Sequence, residues 1–111
     1  MQSAYAESFE RVMTCAVADW LRLLPPAIGD NAFTHTHDSH AGLVAIALRA
    51  PGTSSPVDGI LRVKWEVGAP RRIALVQLPQ LHADFQFENT DAATRLAFMQ
   101  RFDLFMQRGG G

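Results

Sequence analysis

A chain of 111 residues, 48% hydrophobic and 19% charged, has the size and composition of one globular domain spanning 1–111. A chain of this length buries about 65% of its unfolded surface, so it needs neither disulfides nor metal to hold a core. A formal net charge of −1 excludes a long-range field for nucleic acid or an anionic membrane, and the single cysteine, Cys15, excludes an intrachain disulfide.

No basic region followed by an apolar run opens the chain, and no apolar run nears the ~20 residues that cross a bilayer. The expectation is a cytoplasmic protein with no membrane partner. Nine of the ten basic residues are Arg, Lys64 being the other, a bias that suits a GC-rich bacterial coding sequence.

Residues 3–24 read as one helix. Tyr5, Phe9, Val12, Met13, Ala16, Trp20 and Leu24 recur at spacings of three and four, the period of an amphipathic helix. Ser3 is a suitable cap. Pro25 and Pro26 end the helix, because a proline pushes the preceding residue out of the α region. Cys15 falls inside this apolar pattern and reads as a buried, inert thiol.

From Asn31 to Glu88 the period becomes 2. Phe33–His37 is a short first strand. Leu43–Leu48 is apolar on both faces and belongs in the sheet interior. The loop from Ala50 to Gly59, rich in Pro, Gly and Ser, follows it. Leu61, Val63, Trp65 and Val67 alternate with Arg62, Lys64 and Glu66. Arg72–Leu78 is a further strand, joined to the previous one by Gly68-Ala69-Pro70 as a hairpin. Leu81, Ala83, Phe85 and Phe87 alternate with His82, Asp84, Gln86 and Glu88. Such strands have one buried and one wet face.

A last helix runs from about Asp91 to Arg108. Asn89 and Thr90 serve as caps, and Asp91 suits the helix dipole. Phe98, Met99, Phe102, Phe105 and Met106 form its apolar face, and Gly109 takes the left-handed C-cap. The fold class is therefore α+β: a two-layer sandwich of N-terminal helix, antiparallel sheet of four or five strands, and C-terminal helix. Phe85, Phe87, Trp65, Leu61, Val63, Phe98, Phe102, Phe9, Val12 and Trp20 should form the core.

The one cluster with chemistry in it is His35-Thr36-His37-Asp38-Ser39-His40, which holds three of the four histidines. His-x-His on a strand points two imidazoles to one side. His35 and His37 are candidate metal ligands, with His40, or alternatively Asp38, from the turn that follows as the third. His82 and Asp84 are a second such pair, and the two pairs meet if their strands are neighbours. The acid falls one place earlier than in the H-x-H-x-D-H of metallo-β-lactamase-type hydrolases, and no downstream ligand series follows. The bland alternative is a polar strand end and turn.

No catalytic residue and no cofactor motif emerge. There is no G-x-S-x-G elbow, and the glycines build neither a dinucleotide nor a Walker loop. Aromatic residues on the strands fall on the apolar phase, which speaks against nucleic acid. Both helices carry more large apolar residues than one stripe needs. The expected function is a non-catalytic protein-binding or self-associating module, a homodimer with a protein partner of unknown identity. The alternative is a small metal-dependent protein using His35, His37 and His40.

Overall fold

Alternation along Leu61–Val67 and Leu81–Glu88 sets the centre of the molecule. The computed structural model describes residues 4–49 and 59–110. In chain order these form β1 (Ser8–Met13), α1 (Val17–Ile28), β2 (Phe33–His37), β3 (Ala41–Leu48), β4 (Gly59–Val67), β5 (Arg71–Ile73), β6 (Val76–Leu78), β7 (Leu81–Glu88) and α2 (Ala92–Gly110). Five strands make one antiparallel sheet in the order β1-β7-β4-β3-β2, and β5 and β6 pair only with each other. Both helices pack on one face of the larger sheet. Phe102 of α2 meets Phe85 edge-on at 5.6 Å, and Trp20 of α1 meets Trp65 at 6.3 Å. The α+β sandwich expected from sequence is the fold observed.

Register fixes the two faces. Val63 pairs with Phe85, and Trp65 with Ala83, on the helix side, where all four are buried. Lys64 pairs with Asp84, and Glu66 with His82, on the open side. Of the expected core, Phe85, Phe87, Trp65, Leu61, Val63, Phe98, Phe102 and Trp20 are buried, and Phe9 is partly buried against them. Val12 is the exception, at 59% exposed.

Val12 is misplaced because residues 3–24 are not one helix. Ser8–Met13 is a strand paired along β7, from Ser8↔Gln86 to Met13↔Leu81. Phe9, Val12 and Met13 fit a helical stripe, but Phe9, Arg11 and Met13 also fit period 2. Tertiary context chooses the second, because β7 would otherwise show a bare edge. The helix starts only at Val17 and continues through Pro25 and Pro26 to Ile28. An interior proline costs about 3 kcal/mol. Complete burial of Ala27 and Ile28 beyond the prolines offsets that cost. The freed end is closed by Gly29 N–H donating to Pro25 O at 3.1 Å, with Gly29 at φ 72°, a conformation glycine adopts without strain.

Other boundaries shift as well. Asp91, not Asn89 or Thr90, caps α2: its Oδ1 accepts the Thr94 N–H at 2.8 Å. Helix α2 runs past Gly109 to Gly110, so Gly109 is not its terminating residue. The segment 72–78 is not a strand of the main sheet but most of a separate hairpin. The proposed Ser3 cap, and the loop before Gly59 from Ala50 on, lie outside the described residues.

One polar tie anchors the first strand. Arg11, on the inward side of β1, makes a two-pronged ion pair with Asp103 of α2, its Nη2 donating at 3.0 Å. Tyr5 Oη donates to the same carboxylate at 2.6 Å. The guanidinium lies 5.3 Å from the Phe9 ring centre and 5.5 Å from that of Phe85. Charge, hydrogen bonds and cation–π attraction thus hold β1 and α2 together.

Phe102→Ala should cost about 3–5 kcal/mol in denaturant unfolding, whereas Val12→Ala should stay within about 0.5 kcal/mol. Comparable losses at both positions would contradict the strand assignment of Ser8–Met13.

Candidate functional site

His35 and His37 sit on the β2 edge of the sheet, with His40 in the turn that follows. Edge strand β2 pairs His35 with Val44 and His37 with Gly42, so both imidazoles lie on the helix side. Their ring centres are 4.4 Å apart. The two rings lie at nearly equal distances from the Trp65 ring, 6.0 and 6.1 Å. Trp65 approaches the sheet so closely that a Cβ on Gly42 would lie 2.6 Å from its Nε1. Only glycine leaves room for the indole there.

Trp65 Nε1–H donates to His35 Nε2 at 3.0 Å. Indole is a donor only, so His35 Nε2 must be the acceptor and the ring is neutral with its proton on Nδ1. Burial, then the neighbouring His37, pushes the His35 pKa below its ordinary value. His37 Nδ1 lies 3.1 Å from the Asp38 carbonyl.

His40 belongs to the β2–β3 turn. Asp38 Oδ1 accepts the N–H groups of His40 at 2.7 Å and Ala41 at 2.9 Å, which holds its carboxyl below the usual range. His40 Nδ1 contacts Ser39 Oγ at 2.9 Å. His82 and Asp84 are separated from β2 by two intervening strands and project from the opposite face, so the two histidine pairs do not meet. Among the described residues no group of three or more His, Cys, Asp or Glu side chains is placed to hold a metal ion. The structure brings His35 and His37 together as a cap on Trp65 and leaves His40 apart from them.

Two grooves also mark the surface. One, of about 1230 Å³, lies over the uncovered sheet face and includes Glu10, Glu66 and Asp84 around Lys64, with Asp38 at its end. Val12 and Leu43 give it exposed apolar ground. Across the strands one row reads Glu10, Asp84, Lys64, Leu43, Thr36. The other, of about 1300 Å³, runs along α2 past Met13, Cys15 and Leu104. Trp20 lines it, and the buried Trp20 Nε1–H has no acceptor among the described residues. Burial, then Asp19, pushes the Cys15 thiol up, which keeps it a thiol and a poor nucleophile.

The β5–β6 hairpin was legible only as a strand. It leaves the sheet after Gly68 and returns at Leu81, with the ladder Arg71↔Leu78, Arg72↔Gln77 and Ile73↔Val76. Leu75 at its tip is fully exposed, and Ile73 and Val76 are about half exposed. The hairpin makes no extensive contact with the sheet or helices. Pro70 and Pro79 bracket it. Neither has an N–H for a ladder, and that pair of prolines is the signal that could have marked the excursion.

His35 gives a pH prediction. Its folded pKa lies below the unfolded value of ~6.5, so the unfolded chain binds the extra proton first as pH falls. Stability from this group is full above pH ~6.5 and declines below it, down through the folded pKa. Melting temperature should fall as pH drops through that window, and His35→Gln should flatten the fall. Asp38 and Asp91, whose pKa values are lowered, lose their contribution only below the ordinary carboxylate range. An unchanged pH profile in His35→Gln would contradict the neutral acceptor role.

No family model, curated protein or solved structure matches this chain.

Proposed function

We propose that the protein is a non-catalytic binding module that works as a homodimer in the bacterial cytoplasm. The observation that carries this reading is the apolar tip held in solvent: Ile73, Leu75 and Val76 project from a two-stranded hairpin that makes no extensive contact with any other element among the described residues. Exposed apolar side chains gathered on one protrusion mark interaction sites. Isolated two-stranded hairpins are marginal in water, so a partner surface supplies burial that the monomer lacks.

The uncovered sheet face supports the same reading. It holds charged side chains of both signs beside exposed Leu43 and Val12, the mixture of apolar ground and polar rim found at protein interfaces. Two-fold homodimers are the commonest assembly. Sedimentation at micromolar concentration should give a dimer. A monomer persisting at several hundred micromolar would sink the reading.

A further inference from the structure

We propose that the dimer forms by reciprocal arm exchange: the β5–β6 hairpin of each protomer lies in the acidic groove on the open sheet face of the other. This rests on the self-association proposed above and names the surfaces that meet.

Complementarity of the two surfaces carries the inference. The arm, Arg71–Leu78, holds Arg71 and Arg72 and no acid. Both arginines are exposed, and no ion pair of either occurs among the described residues. The groove holds Glu10, Glu66 and Asp84 against Lys64. Arg11 also borders it, but that charge is spent on Asp103. A +2 arm therefore faces a groove with an acidic excess. Its apolar side chains likewise find Leu43 and Val12, both exposed on the receiving surface.

Dimensions agree. Residues 71–74 reach about 13 Å from the sheet at ~3.3 Å per residue. The open face is about 19 Å wide, from five strands at ~4.8 Å spacing. A two-stranded arm fits across it. The arm rises from the end of the sheet where β4 and β7 bring Glu66 and His82 together, so groove and arm share one end of the protomer and a two-fold axis can serve both contacts at once. The root is tightly built: a Cβ on Gly68 would lie 2.3 Å from His82 Cδ2. The turn residue Ala74 sits at φ 52°, where a non-glycine residue is strained. Burial of Leu75 against a partner offsets that strain.

Charge reversal tests the arrangement. One variant carries Arg71→Glu with Arg72→Glu, and the other carries Glu10→Lys with Glu66→Lys. Each alone faces like charge with like, and its self-association should weaken by about a hundredfold or more. Mixed one to one, each arm meets a groove of opposite charge, and a heterodimer should form with affinity near that of the unaltered chain. Circular dichroism of each variant establishes folding. If either fails to fold, the neutral replacements Arg71→Gln with Arg72→Gln and Glu10→Gln with Glu66→Gln should each still weaken association measurably. Dimerisation of either reversed variant at unaltered affinity overturns arm exchange, as does a mixture that stays monomeric, while the dimer itself stands. A monomeric unaltered chain would remove both.

Discussion

Two helices cover one face of a five-stranded sheet, and the phase of β4 and β7 decides which side chains they cover. Trp65, Val63, Phe85 and Phe87 lie inward and are buried; shifting either strand by one residue would exchange them for Lys64, Glu66, Asp84 and Gln86. The aromatic contacts follow from that phase. Phe9 stacks on Phe85 at 4.9 Å, Phe85 meets Phe102, Phe102 meets Trp20, and Trp20 meets Trp65. The chain of rings ends at His35 and His37 on one edge and at Arg11 and Asp103 on the other. Burial of large apolar side chains, at ~1.5–3 kcal/mol each, outweighs the exposed Arg62–Glu88 pair on the open face, worth at most about 1 kcal/mol.

Much of this was legible because it is local. The period-2 pattern places a strand at Phe33–His37, where β2 is observed, and α2 differs from its sequence-based bounds by a residue or two at each end. The first segment was not legible, because Ser8–Met13 satisfies two periods at once and only the distant β7 decides between them. The path of α1 through Pro25 and Pro26 depends on the burial of Ala27 and Ile28, which no local rule contains. The hairpin was missed for a third reason: its turn, Ala74-Leu75, lacks the Asn-Gly chemistry that announces a tight hairpin. At the histidine cluster the sequence placed His35 and His37 on one side of a strand. It could not place Trp65 over Gly42, and that non-local contact is what engages His35.

One covered face leaves one open, and function is proposed from what the open side presents. The helix side is closed by the core and tied by Arg11, Asp103 and Tyr5. No helix among the described residues is long and apolar enough to cross a membrane. An arm with two arginines and a leucine tip gains from a surface that is both acidic and partly apolar, and the groove on the open sheet face is such a surface. Desolvation in the proposed docking strengthens the charge contacts, and salt, which screens exposed charges, does not screen the apolar contact. The proposed dimer should therefore owe its specificity to charge and much of its affinity to Leu75 and its neighbours.

Intermolecular paramagnetic relaxation tests arm exchange most directly. A nitroxide is placed at Gln77→Cys in a Cys15→Ser background, on protomers without isotope label, and these are mixed with ¹⁵N-labelled protomers. Reciprocal docking predicts broadening of the amides of Val12, Leu43 and Glu66 in the labelled partner. Broadening confined to α1 and α2, or none in a sample shown to be dimeric, would contradict it.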